Sequence, residues 1–261
     1  MSTIARVSER ASNDLSFARI GYNNLLVTPS VTAANATLIP NTWERWTSAS
    51  GTMLATFDPA APAVMNFVGI AAHNLFTAGA TIKIETTQSI IGGESAYITQ
   101  AVITPTSNAP IYVEFVEADP VERIRITITG GTNREVGVIY AGNALIMQQA
   151  IYGGHTPVNL ASITDYRNAM SDSGQFLGRT IKRRGQATSF AWQNLTEQWY
   201  RDNFQPFVNS AKTTPFFIQW RPDYQNTEIA FGYTTGDITP SNQSGVTRLL
   251  SVSMSIRAHD E

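Results

Sequence analysis

Residues 189–222, SFAWQNLTEQWYRDNFQPFVNSAKTTPFFIQWRP, decide the fold of the second half of this chain. Phe190 and Trp192 alternate with small or polar residues, as they would in a strand with one buried face. A second apolar run extends from Phe216 to Trp220 and stops at Arg221-Pro222. The segment therefore predicts two strands, one on each side of a central stretch with a different period.

The central stretch has the period of an amphipathic helix. Its apolar positions are Leu195, Trp199, Phe207 and Val208. Asn194 followed by Glu197 has the form of a capping box, and Pro206 limits or kinks the helix because it lacks an amide donor. We expect the main helix near residues 195–210.

Length and composition restrict the function. The 261 residues are enough for two domains. A formal net charge of −2, with only 15% charged residues, provides no electrostatic footprint for nucleic acid or for an anionic membrane. No stretch approaches the ~20 apolar residues that span a bilayer, so no membrane insertion is expected. The absence of cysteine excludes disulfides and thiolate chemistry.

The overall pattern predicts a mainly β protein, and residues 25–149 predict a jelly-roll β-sandwich of about eight short strands. Alternating apolar residues mark two of its strands: Ile82 and Ile84, then Ile124, Ile126 and Ile128. Residues 64–70 form a more continuous apolar run, which indicates a strand that is buried on both faces or central in its sheet.

Residues 150–261 predict a smaller, β-rich α+β domain with one main helix, after a linker at Gly153-Gly154. Separate strands are expected at residues 175–182 and around 228–234. The clearest strand is the last one, residues 248–257, with apolar residues on one face and serines on the other. Residues 1–24 are expected to form an N-terminal arm outside both domains.

The strand, helix and strand that end in Trp220-Arg221-Pro222 resemble the distal tail proteins of long-tailed bacteriophages and related tail-tip or baseplate proteins. This resemblance implies a structural virion protein in a ring of identical subunits, which links the tail tube to the hub and the receptor-binding proteins. Its partners would be itself and other tail proteins. Its location would be the tail tip of the virion, and the host cytoplasm during assembly.

The order of features in the first half is similar to the galactose-binding or discoidin-like jelly roll. The segments that carry this similarity are Asn24-Leu-Leu and residues 43–46, 66–75, 121–126 and 138–145. The resemblance implies the fold more than a ligand. It leaves open an alternative function, a carbohydrate-binding module that attaches the virion to a host surface glycan.

Aromatic residues are the candidate contact sites. Trp43 and Trp46 could stack on a sugar, although packing in the core or at its rim explains them equally well. The second candidate set, for core or subunit contacts, is Trp199, Phe204, Phe207 and Trp220.

No catalytic constellation is present, so we expect no enzyme activity, no catalytic residue and no cofactor. His73, His155 and His259 each lack the partners that a triad or a metal site requires. A third hypothesis, a glycan-degrading enzyme, needs a carboxylate pair in a cleft, and the spacing of Asp and Glu indicates none.

Charged clusters favour structural roles. A solvated loop is the preferred interpretation of the acidic residues Glu114, Glu117, Asp119 and Glu122 and of Asp58, because no calcium-loop pattern is present. For the basic run at residues 182–184, a hairpin tip or an interface ion-pair cluster is preferred to nucleic-acid binding. No metal site is expected.

Overall fold

The computed structural model describes residues 17–22, 26–29, 42–59, 63–88, 96–115, 120–223, 227–243 and 248–259. Over these residues the chain is mainly β, with three antiparallel sheets and one main helix. The predicted fold class is therefore confirmed.

A β-sandwich of two sheets occupies the first half of the chain, with strands numbered along the sequence. The five-stranded sheet has the order β2 (Leu26–Pro29), β4 (Met53–Pro59), β9 (Val121–Thr129), β6 (Thr81–Gln88) and β7 (Tyr97–Ile103). The four-stranded sheet has the order β3 (Trp46–Ser48), β10 (Arg134–Gly142), β5 (Phe67–His73) and β8 (Ile111–Glu114). A short helix, α1 (Leu75–Ala78), follows β5.

A third, larger sheet contains the remaining eight strands. Its order is β11 (Leu145–Ile146), β1 (Arg19–Gly21), β14 (Phe216–Gln219), β15 (Ile229–Thr234), β17 (Leu249–Ala258), β13 (Phe176–Thr196) and β12 (Ser162–Met170), and β16 (Pro240–Asn242) also pairs with β17. A 3-10 turn at Val158–Leu160 precedes β12. We call this the large sheet.

Alternate residues of the sandwich strands point inward and form the apolar core of the sandwich. In β9, Ile124, Ile126 and Ile128 are fully buried, and in β6 Ile82 and Ile84 are fully buried as well. Successive side chains of a strand point to opposite faces, so these five positions are the ones that the period-two pattern predicts.

Strand β5 is buried on both of its faces. Val68 and Ile70 belong to the sandwich core, whereas Phe67 and Ala71 pack with residues of the large sheet. The four-stranded sheet is therefore the middle of three stacked sheets. This position explains why the apolar run does not alternate with polar residues.

The middle sheet and the large sheet approach closely at Gly69 of β5. A Cβ atom at this position would lie 2.7 Å from two ring carbons of Phe217 in β14. Phe217 is fully buried, and its ring centroid lies 5.7 Å from that of Tyr140 and 4.8 Å from that of Phe231. Glycine at residue 69 thus lets an aromatic ring pack directly on the backbone of β5.

The sandwich is inserted between two neighbouring strands of the large sheet. Strand β1 precedes the sandwich, β11 follows it, and the two pair with each other, while β1 pairs with β14 along its other edge. The prediction that residues 1–24 lie outside both domains is therefore wrong for residues 19–21. Residues 1–16 and 23–25 lie outside the described residues.

A buried ion pair joins β1 to the middle sheet. Arg19 is fully buried, and its Nε donates a hydrogen bond to Oε2 of Glu114 in β8 at 3.2 Å. Its Nη1 donates to the carbonyl oxygen of Phe17 at 3.0 Å. Since a guanidinium stays protonated in proteins, this contact holds a permanent charge between the two parts of the chain.

One helix, α2, covers the outer face of the large sheet. Its three consecutive segments are Glu197–Trp199, the π-helical Tyr200–Phe204 and Gln205–Ala211. The N-cap is Thr196, whose hydroxyl accepts a hydrogen bond from the backbone N–H of Trp199, so the cap predicted at Asn194 is wrong. The π-helical segment ends at Phe204, two residues before Pro206, and its wider turn accommodates a residue without an amide donor.

The final strand, β17, has the predicted two-faced character. Val252, Met254 and Ile256 are buried against α2 and its neighbours, while Ser253 and Ser255 are exposed. Strand β13 differs from prediction because it is one strand of 21 residues. It joins segments that the sequence predicts as separate strands.

Candidate functional site

An exposed hairpin, residues 162–184, forms one end of the large sheet. It consists of β12 and the first part of β13. All of its residues are exposed except Thr164, Ser171 and Gly178, which are half-buried. Strand β12 is also the terminal strand in the sheet order. The hairpin therefore has solvent on both faces and along one edge.

One face of the hairpin carries four large apolar side chains, with the polar pair Asn168 and Arg179 between them. The guanidinium group of Arg179 lies over the ring of Tyr166, 3.9 Å from its centroid. Tyr166 is opposite Ile181, and Met170 is opposite Phe176. Directly opposite residues of an antiparallel pair share a face. The exposed fractions of these four side chains lie between 46% and 61%. We call Tyr166, Met170, Phe176 and Ile181 the apolar face of the hairpin.

The remainder of the hairpin is mixed: it includes the exposed apolar residues Ile163 and Leu177 as well as most of the hairpin's charged side chains. Arg167 and Thr180 oppose each other on the other face. Residues 162–184 carry five cationic and two anionic side chains, a formal charge of +3. Since the whole chain has a charge of −2, all other residues together carry −5.

The sequence pattern does not predict β12, and the basic run next to it lies elsewhere than expected. Residues 182–184 lie within β13, so their predicted position at a hairpin tip is wrong. The alternative, an ion pair, is present inside one chain, where Arg183 Nε donates to Oδ2 of Asp165 at 2.9 Å. The one local signal for β12 is the turn-forming Ser-Asp-Ser-Gly at residues 171–174.

A cleft of ≈ 500 Å³ lies at the base of the hairpin. Its walls come from residues 42–44 before β3, from the first residues of β12, from the middle of β13 and from the ends of β15 and β17. Trp43 lines this cleft and is 91% exposed. Arg184 and Arg257 line it from the large sheet.

The other predicted aromatic contacts lie partly or wholly in the core. Trp46 is half-buried and packs against the sandwich core. Trp199 and Trp220 are half-buried on the core beneath α2. Phe204 and Phe207 are fully buried there. Phe204 and Phe207 therefore present no surface to another subunit, and the core alternative holds for them. Trp199 and Trp220 keep part of their surface, and a subunit contact at these two residues stays a prediction.

The three histidines lie in three different environments. His155 packs between the rings of Phe190 and Trp220, with centroid distances of 5.4 Å and 4.9 Å. His259 lines the cleft. His73, at the end of β5, is buried. Within the described ranges, no three side chains of the metal-binding types converge on a metal-ion site.

His73 is held as a neutral imidazole. Its Nδ1 accepts a hydrogen bond from the backbone N–H of Leu75 at 3.3 Å, and its Nε2 lies 3.0 Å from the carbonyl oxygen of Ala109. Burial lowers the pKa of His73 to about 4, the Ala109 hydrogen bond opposes this shift, and the charge of Arg45 adds to it. Protonation of His73 therefore opposes folding.

We expect the stability of the protein to fall as the pH is lowered from 6.5 to 5. In this window the unfolded chain binds a proton at residue 73 and the folded chain does not, which costs about 1.5 kcal/mol of unfolding free energy. Urea unfolding at several pH values measures the slope. His73→Gln should have a shallower slope than the wild type. Equal slopes for the wild type and His73→Gln would show that His73 titrates normally.

The predicted acidic cluster is only partly described. Glu117 and Asp119 lie outside the described residues. Glu114 pairs with Arg19. Asp58 accepts two hydrogen bonds from Arg123, at 2.6 Å and 2.9 Å, so it is part of an ion pair.

In the part of the chain that the structure describes, no helix has both the length and the apolar character needed to cross a membrane.

No family model and no curated protein matches this chain. Among solved structures, it is similar to chitosan-binding module 1 of a chitosanase/glucanase from Paenibacillus sp. IK-5, with 16% identity over 46% of this chain and 98% of that one, at a TM-score of 0.37. It is also similar to the CBM32 module of AlyQ in complex with 4,5-unsaturated mannuronic acid, with 18% identity over 46% of this chain and 95% of that one, at a TM-score of 0.33. A third similar structure is an F5/8 type C domain from Bacteroides fragilis, with 14% identity over 40% of this chain and 75% of that one, at a TM-score of 0.32.

These similar structures are carbohydrate-binding modules and an F5/8 type C domain. At such identities and scores, the likeness supports no argument about function.

Proposed function

We propose that this protein is a structural subunit of the tail tip or baseplate of a long-tailed bacteriophage. In this proposal identical copies form a ring that links the tail tube to the hub and the receptor-binding proteins. The protein is made in the host cytoplasm, is carried in the virion and performs no catalytic step. The observation that carries the proposal is the exposed hairpin with its apolar face.

The hairpin needs a covering surface. An isolated two-stranded ribbon is marginally stable in water, and an exposed strand edge with apolar residues is a template for association. Burying the exposed half of these four large apolar side chains would contribute about 0.7 to 1.5 kcal/mol each before the entropic cost of association. A subunit of a permanent assembly can present such a surface because a neighbour covers it.

The charge distribution favours a second copy of this chain as that neighbour. The hairpin carries +3 and the rest of the chain −5. A basic hairpin and an acidic body are complementary between copies, which steers association and fixes its direction. Contacts between two different patches are head-to-tail, and such contacts close into rings when the rotation permits.

The test is the mass of the purified protein by light scattering, with negative-stain imaging of any assembly. We expect rings, or a monomer that enters rings when tail-tube protein is added. A monomer under both conditions would overturn the proposal.

A pair of double variants tests the role of the hairpin. Tyr166→Ser with Ile181→Ser removes two side chains of the apolar face. We expect it to weaken association at least ~10-fold, as follows from the loss of the exposed halves of two large side chains. The matched control, Arg167→Lys with Thr180→Ser, alters the opposite face of the same strands, keeps the charge of the hairpin and should retain assembly. Equal loss in both double variants would contradict a specific role of the apolar face.

Glycan binding is the second candidate function, and the exposure of Trp43 beside the cleft favours it. An exposed indole ring that borders a cleft with charged side chains can pack against the apolar face of a sugar. Retention of the monomer on host polysaccharide, with loss of retention in Trp43→Ala, would support this function. Unchanged retention in that variant would exclude Trp43 as the contact.

A further inference from the structure

The cleft at the base of the hairpin has the size of a small-ligand site. Its ≈ 500 Å³ falls in the range of pockets that hold small molecules, about 300 to 1,000 Å³. Its lining combines aromatic groups, such as Trp43 and Tyr233, with charged side chains. The cleft is formed by both parts of the chain, since residues 42–44 precede the sandwich strand β3 and the other walls belong to the large sheet.

The floor of the cleft includes backbone as well as side chains. Gly232 in β15 lies against β17, where a Cβ atom would be 2.2 Å from the carbonyl oxygen of Arg257. Gly185 in β13 flanks β17 on the other side, with the carbonyl oxygen of Ala258 3.2 Å from the position of its Cβ. These two glycines line the cleft, so no side chain extends into it from either position.

Cationic groups outnumber carboxylates in the cleft. Its three guanidinium groups belong to Arg183, Arg184 and Arg257, and its two carboxylates belong to Glu44 and Asp165. Asp165 is already bound to Arg183 at 2.9 Å. Among the described residues, neither Arg184 nor Arg257 forms an ion pair. The lining of the cleft therefore has more positive than negative charge, and Arg184 and Arg257 carry this excess.

We propose that this cleft binds a carboxylated saccharide, with Trp43 against the sugar ring and the guanidinium groups of Arg184 and Arg257 on the carboxylate. Guanidinium groups match carboxylates in geometry and form strong charge-assisted hydrogen bonds with them. This inference rests on the second candidate function, glycan binding, and adds the class of sugar. It is independent of ring formation.

Isothermal titration tests the inference with trimers of galacturonic acid and of mannuronic acid. Each trimer is compared with its methyl ester, which keeps the sugar and removes the charge. We expect binding of at least one acid, at least ~10-fold weaker binding of its ester, and an affinity that falls as salt is added. Loss of one charge-assisted contact of ~1.5 to 3 kcal/mol corresponds to about 10- to 100-fold.

Variants locate the binding site. Trp43→Ala and Arg257→Met should each weaken binding at least ~10-fold, and Arg184→Met provides a second charge deletion if Arg257→Met fails to fold. Arg167→Met, on the hairpin but outside the cleft, is the control and should bind as the wild type does.

The outcomes separate this inference from the function on which it rests. Equal binding of acid and ester, still dependent on Trp43, would overturn the charge selectivity and leave glycan binding in place. Binding unaffected by Trp43→Ala and by both arginine variants would overturn the site. Absence of binding to both acids and both esters would overturn the inference, and retention on host polysaccharide would then decide glycan binding by itself.

Discussion

Replacement of Phe217 by alanine is expected to lower the free energy of unfolding by about 3 to 5 kcal/mol. The ring of Phe217 is fully buried between the middle sheet and the large sheet, with Tyr140 and Phe231 beside it. Its removal leaves a cavity at the contact that holds the sandwich on the rest of the chain. Urea unfolding followed by tryptophan fluorescence measures the loss.

Gly69 supplies the partner for a double-mutant cycle with Phe217. Gly69→Val places a side chain where the Phe217 ring lies, 2.7 Å from the Cβ position, and overpacking of this kind costs about 1 to 3 kcal/mol. In the double variant, valine occupies part of the cavity, so the combined loss should be smaller than the sum of the two. Val102→Ala, at a half-exposed position of β7, is a control with little expected effect. Additive losses would show that residues 69 and 217 are energetically independent.

Glu114→Gln is expected to destabilise the protein by about 3 to 5 kcal/mol, because it leaves the buried charge of Arg19 without its carboxylate. The substitution keeps the shape of the side chain, so the loss reports charge and not packing. Arg19 retains one hydrogen bond, to the carbonyl oxygen of Phe17, which does not neutralise it. Thermal and urea unfolding both measure the effect.

A double replacement separates the ion pair from the general packing of this region. Arg19→Met with Glu114→Leu removes both charges and should recover most of the stability, since apolar groups often replace a buried pair without loss. Glu197→Gln, which removes the exposed partner of Arg201, should leave the unfolding midpoint unchanged. Failure of the double replacement to recover stability would indicate that the polar contacts themselves are required.

The sandwich could be predicted from the sequence because its strands face a core on one side and solvent on the other. That environment imposes the alternation seen at Ile124, Ile126 and Ile128. Strand β12 has solvent on both faces, so burial imposes no period on it. The sequence pattern therefore divides its partner β13 into separate strands and gives no sign of the hairpin.

The insertion of the sandwich could not be predicted for a different reason. Strand β1 has three residues, which is too few to establish a period, and its pairing partner β14 lies near the other end of the chain. The helical spacing of Phe204 and Phe207 correctly indicates an apolar stripe. It cannot distinguish a stripe covered by the chain's own sheet from one covered by a neighbour.

Of the residues that line the candidate site, the sequence indicates only Trp43 as a ligand contact. The residue type suggests a sugar contact, but the cleft requires segments that are far apart in sequence, from residue 42 to residue 259. The charge of the cleft depends on which arginines those segments bring together. Local sequence patterns carry no information about which distant segments come together to form the cleft.

The place of the sandwich between β1 and β11 sets an order of events during synthesis. All sandwich strands leave the ribosome before β14 and β15, and they can bury their own core at once. The other face of the middle sheet, with Phe67 and Tyr140, stays uncovered until residues 216–234 have been made. At usual translation rates this interval is on the order of 5 to 15 s, and an apolar sheet face exposed for that time is prone to aggregation. Slower translation of the stretch that encodes the hairpin would prolong this exposure and lower the yield of folded protein.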